Sequence, residues 1–228
     1  MSTHSANAEA DFLASREDEE TYRRLNARMF RSGFVEFFSK VHPVVPALLF
    51  VPVVAYFAWR GVGTVGAGAT ILAFAGGLLF WTFTEYTLHR FFFHMPKTNA
   101  VSRFLYFYSH GIHHSYPDDF YRLVMVPAVS VPLAFLFYGL FHAVLPVGLA
   151  AGAFAGMVTG YLMYDYVHFA THHVTPPRAA WLKPIADIMK GQRKRHMRHH
   201  FADHDRGYGV STSLWDHVFR THDAASDR

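Results

Sequence analysis

The sequence has no cysteine in its 228 residues. That excludes disulfides and any thiolate metal site. Charge is also scarce: Asp, Glu, Lys and Arg make up 17% of the chain, against roughly 25% in soluble domains. No apolar stretch opens the chain, because the first forty residues are polar and charged, so no cleavable signal peptide is expected. Internal repeats and low-complexity tracts are missing too. What the chain has instead is apolar and aromatic side chains, 51% and 17% of it, and histidine, 17 copies beside 21 Lys and Arg.

The apolar residues are concentrated in long runs. A spanning helix needs roughly 20 of them. Four segments qualify: Val41–Trp59, Val62–Leu88, Leu123–Leu145 and Val147–Val167. Runs of this length, apolar on every face, argue for a membrane rather than a soluble helical core. The expected fold is therefore all-α and integral to a membrane, with four transmembrane helices. Tight turns are expected near Arg60 and Pro146. Four crossings put both termini on one side. Of the 21 Lys and Arg residues, Arg60 alone then falls on the far side, and the positive-inside rule makes the crowded side cytoplasmic. Residues 17–39, EDEETYRRLNARMFRSGFVEFFS, read as an amphipathic helix leading into the first span. Residues 1–40 are expected to form a loose cytosolic tail and 41–228 the membrane domain.

The histidines gather on that cytoplasmic side. His89 and His94 follow the second run. His110, His113 and His114 lie in the connection after it. His168 and His172 close the fourth run, and His196, His199 and His200 sit in KRHMRHHFADHDRGYGV, Lys194–Val210. Two clusters share the spacing HxxHH, which puts imidazoles on one helix face. His168 and His172 are an i, i+4 pair; His89 and His94, five apart, need a helix end or a bend to converge. A basic stretch repels the protonated ring, so these histidines are suited to the neutral, metal-ligating form. Ten imidazoles exceed the needs of one ion, whereas two ions with about five nitrogens each would use them all. Imidazole suits iron, zinc and copper alike.

A ligating histidine usually passes its other N–H to a carboxylate or a carbonyl. Glu85, Asp165, Asp119 and Asp203, each beside a cluster, are the carboxylates expected in that role. His4 and His222 are expected to be solvated, His42 and His142 isolated, and His173 and His204 outside the ligand sets. His217 is unassigned.

The motifs HRFFFH, HGIHH, YDYVHFATHH and RHMRHHFADHDRGYGVSTSLWDHVF closely resemble those of the fatty acid 2-hydroxylases. These belong to the fatty acid hydroxylase/sterol desaturase superfamily of membrane di-metal monooxygenases. The resemblance runs from about Pro43 to Thr221, and FFFHM, RLVMVP and GYGVSTSLWDHVF match the 2-hydroxylase branch more specifically than the histidines do.

The resemblance implies a cytosolic helical cap holding two iron ions, for which zinc can substitute. One ion would take His89, His94, His110, His114 and His199; the other would take His113, His168, His172, His196 and His200. It implies hydroxylation at carbon 2 of a long acyl chain, free or lipid-linked as in a ceramide, with O2 as co-substrate. Two electrons would come from a separate cytochrome b5 or ferredoxin, docked on the basic face. The roughly forty residues before the first span are too few for the haem-binding domain that many eukaryotic members carry. The segment between His172 and His196 is longer than the family pattern leads one to expect. No catalytic side chain beyond the metal ligands, no other cofactor and no nucleic-acid partner is expected. The membrane would be a bacterial cytoplasmic membrane or the endoplasmic reticulum, with the site and both termini cytoplasmic. Tyr161, Tyr164, Phe91, Phe92 and Trp215 are candidates to line an acyl channel. Two other readings use the same histidines. One is a sterol or carotenoid hydroxylase or desaturase. The other is a metal-transport or metal-binding membrane protein, disfavoured because a transporter places polar ligands near mid-span.

Overall fold

The computed structural model describes residues 28–227, and every regular element among them is helical. Helix α1 (Gly33–Phe38) is one short turn and a half, capped by the Ser32 hydroxyl, which accepts from Val35 N. Of the expected amphipathic helix over 17–39, the described part is helical over Gly33–Phe38, and residues 17–27 lie outside the described ones. Residues 28–40 are not a loose tail. Met29 is buried against Phe107, Ile112 and Tyr116, and the Phe30 ring stacks on Tyr108 at 4.9 Å. Glu36 accepts from Met29 N and Phe30 N at 2.9 Å and pairs with Arg122 at 2.6 Å.

Helix α2 (Val44–Thr87) contains both of the first two apolar runs. Its backbone leaves the helical region once, at Gly66, with φ 79° and ψ 165°, a conformation essentially restricted to glycine. The chain reverses there. Phe50 and Trp81 would stand roughly 46 Å apart on a straight helix at 1.5 Å per residue. Both rings nevertheless reach Tyr161, at 5.3 and 5.5 Å. The reversal expected near Arg60 thus falls at Gly66, and the first arm runs on past Arg60 to Val65. Apolar length located the runs but not the turn, which only backbone conformation decides.

Helices α3 (Ala100–Tyr106) and α4 (Ile112–Ser115) follow, each entered or left through a widened π-helical turn, Leu88–Phe93 before α3 and Phe107–Gly111 before α4. Helix α3 is closed at its start by a reciprocal Asn99–Ser102 capping box. Then come α5 (Pro127–Val144), α6 (Val147–His173), α7 (Lys183–Phe201) and α8 (Leu214–Val218).

Three segments are long and apolar enough to cross a membrane: Val44–Phe93, Phe120–Val144 and Val147–His173. Their burial differs in a telling way. The most apolar window of α6 is 78% buried inside the protein, against 11% in α2 and 17% in α5. Helix α6 is therefore the central staff, and the other two turn apolar side chains such as Leu72, Phe135 and Leu136 outward. So much exposed apolar surface has a stable home only in lipid. The staff is gripped closely, as small residues allow in membrane helices: a Cβ added at Gly156 would lie 1.9 Å from Phe74 O.

Candidate metal centre

The local backbone explains how the histidines converge. His89 and His94 are brought side by side by the first π turn, closed by a bond from His94 N to His89 O at 3.1 Å; this is the bend their five-residue spacing required. The second π turn and α4 carry His110, His113 and His114. The end of α6 carries His168 and His172, and the last turns of α7 carry His196, His199 and His200.

Their nitrogens form two groups, within each of which the atoms lie no more than 4.8 Å apart: His89, His94, His110, His114 and His199; and His113, His168, His172, His196 and His200. The structure thus brings together all ten expected residues, in the two sets the resemblance implies. Helix geometry accounts for the division. In each HxxHH the i, i+4 pair points one way and the i+3 residue about 100° round the helix from the last of them. So His110 and His114 serve one group and His113 the other, while His196 and His200 serve the second and His199 the first. The two groups adjoin, with the His114 and His200 rings stacked at 4.2 Å.

The protons can be placed. The Nδ1–H of His89 donates to Tyr208 O at 2.6 Å, that of His168 to Leu123 O at 3.0 Å and that of His199 to Arg206 O at 2.8 Å. A carbonyl only accepts, so each of these rings turns a bare Nε2 lone pair inward. Nε2 atoms face one another at 2.9–3.1 Å in the pairs His89–His110, His94–His199, His113–His168 and His172–His196. The buried Nε2 of His114 meets no hydrogen-bond partner among the described residues. Converging lone pairs and an orphaned nitrogen are costly in a dry interior and are relieved by a cation. An all-imidazole donor set with no carboxylate or thiolate fits a transition metal such as iron, zinc or copper, not calcium or magnesium.

Burial, and after it the neighbouring rings, keep the imidazoles neutral. His94 is held down to about 3 and His114 to about 2. Burial brings His199 to about 4, although its bond to Arg206 O works the other way. His110, His113 and His196 lie well below the ordinary value for the same first cause.

None of the four expected carboxylates takes a hydrogen bond from a histidine of these groups; backbone carbonyls do. The carboxylates act further out, on groups within a few residues of those that supply a carbonyl. Glu85 accepts from Val210 N and Ser211 N at 2.7 and 2.8 Å, just beyond Tyr208. Asp165 accepts from Met125 N at 3.3 Å, beside Leu123. Asp119 pairs with Arg122 at 2.5 Å, on the other side of Leu123. Asp203 lies 3.4 Å from Arg206 Nε. A fifth carboxylate escaped the sequence reading. Asp216, 1% exposed, accepts from Tyr208 N at 3.0 Å, Gly209 N at 2.8 Å and the Thr221 hydroxyl at 2.8 Å. Its only sequence signal is an acid inside the apolar stretch SLWDHVF.

The other described histidines stay outside both groups, and His4 lies outside the described residues. His204 is exposed at the rim, 5.1 Å from the His114 ring, and His173 stacks on Phe169. His142 lies against Tyr138, and His217 against His222.

Comparison with known proteins agrees with this geometry. A family model described as fatty acid hydroxylase matches residues 74–221. The chain belongs to the fatty acid hydroxylase family. It is 34% identical over 195 residues to a dihydroceramide fatty acyl 2-hydroxylase of Arabidopsis thaliana, covering 85% of this chain and 79% of that one. It is 34% identical over 215 residues to a fatty acid 2-hydroxylase of Mus musculus, covering 85% of this chain but 56% of the mouse protein. The chain thus spans about half the length of that relative. A solved structure, full-length scs7p with only its hydroxylase domain visible, superposes with a TM-score of 0.75 at 33% identity, over 86% of this chain and 72% of that one. The matched stretch of this hydroxylase contains all ten histidines of the two groups.

Of the channel candidates, two sit where a substrate could meet this family's histidines. Tyr164 stacks on His168 at 5.7 Å. Tyr161, two turns below His168, borders a small apolar cavity of about 20 Å³ together with Phe50, Trp81, Ser130, Phe137 and Met157. Phe91 and Phe92 point outward, and the Trp215 indole donates to Thr82 Oγ1.

Proposed function

We propose that this protein is a membrane monooxygenase that hydroxylates carbon 2 of a long acyl chain, free or carried on a lipid such as a ceramide. The observation that carries the reading is the pair of buried, neutral, all-imidazole groups in a chain of the fatty acid hydroxylase family. The names of the relatives support the position of attack.

Each group holds one iron ion, with His89, His94, His110, His114 and His199 on one and His113, His168, His172, His196 and His200 on the other. When bound, the two irons supply the O2-activating redox chemistry that no side chain carries. The balance is fixed: one oxygen atom of O2 enters the C–H bond, and the other leaves as water with two protons and two electrons. A separate cytochrome b5 or ferredoxin brings the electrons, and exposed Arg193 and Lys194 give the acidic surface of such a donor a place to dock. The chain's own part is to present lone pairs and exclude water. His89, His168 and His199 keep their protons on Nδ1, tied to carbonyls, so that every Nε2 stays available.

The two arms of α2, α5 and α6 make four crossings within residues 41–228. The turns at Gly66 and Pro146 share the far side, an arrangement supported by the packing of Gly148 against Thr64 and Val65. The cap and both termini are cytoplasmic, by the one-sided distribution of Lys and Arg.

The test is His113→Ala and His199→Ala, one from each group, read by metal content and by mass spectrometry of the lipids. Each should lose metal from its own group and abolish the 2-hydroxy product. Full metal and full product in either variant would refute the reading.

A further inference from the structure

The segment between His172 and His196, longer than the family pattern leads one to expect, has no part in the metal groups. The structure gives it a definite shape. From Val174 to Ala179 the chain has no helix, and at about 3.3 Å per residue it can travel roughly 20 Å. Helix α7 then starts at Lys183. The thirteen residues from there to His196 return roughly 20 Å at the helical rise. Both limbs meet at one level, since His196 Nε2 lies 2.9 Å from His172 Nε2. The segment is a hairpin, and its tip is Ala180–Lys183.

The side contacts give the direction in which the tip points. One turn before His196, the Gln192 side chain donates to Ser211 O at 3.3 Å. Ser211 N is bonded to Glu85, one turn closer to the middle of α2's apolar arm than His89. Helix α7 therefore climbs away from the apolar bundle toward the histidines, and its first half lies back beside the membrane boundary. That half carries Ile185 and Ile188, and the tip carries Trp181 in a 3-10 turn, Ala180–Leu182; the three are 52%, 63% and 80% exposed. Ile185 and Ile188, three apart, share one helix face. Beside them are exposed Arg178, Lys183 and Lys190, against the single acid Asp187. Tryptophan, an apolar stripe and a surplus of basic residues at a bilayer edge are the components of a helix lying in the headgroup layer.

We infer that the Val174–Lys190 hairpin is an interfacial anchor, with Trp181, Ile185 and Ile188 inserted into the acyl boundary of the cytoplasmic leaflet and Arg178, Lys183 and Lys190 on anionic lipid phosphates. The inference rests on the assignment of α2, α5 and α6 as spans. It places a lipid-contacting element next to the histidines, on the leaflet from which an acyl substrate would be drawn.

The absence of cysteine makes a direct test clean. Single variants Trp181→Cys, Ile185→Cys and Ile188→Cys would be spin-labelled in nanodiscs containing phosphatidylglycerol. Asp187→Cys serves as the solvent-side control and Leu136→Cys, in the middle of α5, as the bilayer control. Unchanged metal content would establish that each variant is folded. Labels at 181, 185 and 188 should collide more with O2 than with a water-soluble nickel chelate, as the 136 label does, and the 187 label should do the reverse. Labels at 181, 185 and 188 in water, with 136 in lipid, would overturn the anchor alone and mark the stripe as a protein-docking face or a bare surface. A 136 label in water would overturn the span assignment and the anchor with it.

Discussion

Asp216 offers the sharpest test of how the fold controls its imidazoles, because it touches none of them. Its two oxygens receive three hydrogen bonds, from Tyr208 N at 3.0 Å, Gly209 N at 2.8 Å and the Thr221 hydroxyl at 2.8 Å. The strap they hold presents Tyr208 O to His89 Nδ1 at 2.6 Å. Asp216→Asn keeps the volume but replaces one acceptor oxygen by a donor NH2. One of the backbone N–H groups then faces another donor in a buried site. Losing a charge-assisted bond costs about 1.5–3 kcal/mol, and leaving an N–H unsatisfied adds about 1–3 kcal/mol, so a loss of about 3 kcal/mol in stability is expected. The strap shifts, the His89 tautomer is no longer held, and affinity for metal at the His89 group falls by about 10–100-fold, as for other residues that orient a ligand. The His113 group, whose histidines take no carbonyl from this strap, keeps its metal. Metal titration of the purified protein, followed by a thermal melt, reads both effects. Two metals bound with unchanged affinity in Asp216→Asn, or equal weakening of both groups, would refute the argument.

Three further outcomes follow from the same structure. Gly156→Ala forces a Cβ to within 1.9 Å of Phe74 O and should destabilise the bundle by about 3 kcal/mol, whereas Gly76→Ala, with open space around it, should be neutral in the same detergent melt. Metal-stripped protein should lose stability as the pH falls from 6.5 towards 3. His94 titrates near 6.5 when unfolded and near 3 when folded, so between those values the unfolded chain binds more protons and is favoured; identical melts at pH 7 and pH 5 would contradict this. Adding a chelator should abolish 2-hydroxylation, and restoring iron should recover it.

The parts that were readable in the sequence share a property: they depend on residue type and on spacing. Apolar length marked the runs, and HxxHH marked the ligand faces. The unread parts depend on backbone. The reversal in α2 sits at Gly66 rather than near Arg60 because one residue adopts φ 79°, and Gly61, Gly63 and Gly68 beside it look equally suitable on paper. The partners of His89, His168 and His199 are the carbonyls of Tyr208, Leu123 and Arg206, and a carbonyl leaves no mark in a sequence because every residue has one. Acids near those carbonyls do leave a mark, which makes Glu85 and Asp165 visible beside the clusters, although they accept from Val210 N, Ser211 N and Met125 N rather than from a histidine. Met29 and Phe30 were read as part of a tail because their partners, Phe107 and Tyr108, lie far along the chain.

The crowding of His196, His199 and His200 among Lys194, Arg195 and Arg198 invites the view that the basic neighbours keep the rings neutral. The geometry argues otherwise. Helix α7 puts the three histidines on its buried face, while Arg193 and Lys194 are exposed and Arg198 is tied to Asp223 at 2.5 Å. For His196 and His199 burial is the leading cause of the lowered pKa, and the other charges that lower it further are those of neighbouring imidazoles, not of lysine or arginine. The two sets of residues use one helix for two purposes. The inner face keeps neutral lone pairs in a dry site, and the outer face carries the basic residues proposed above to meet lipid phosphates and an acidic donor. Replacing Arg193 and Lys194 by glutamine should therefore leave metal content unchanged and slow only the steps that depend on an external electron donor, with a weaker dependence on ionic strength than the parent enzyme. Loss of metal in that variant would mean that the basic face and the imidazoles are not separate after all.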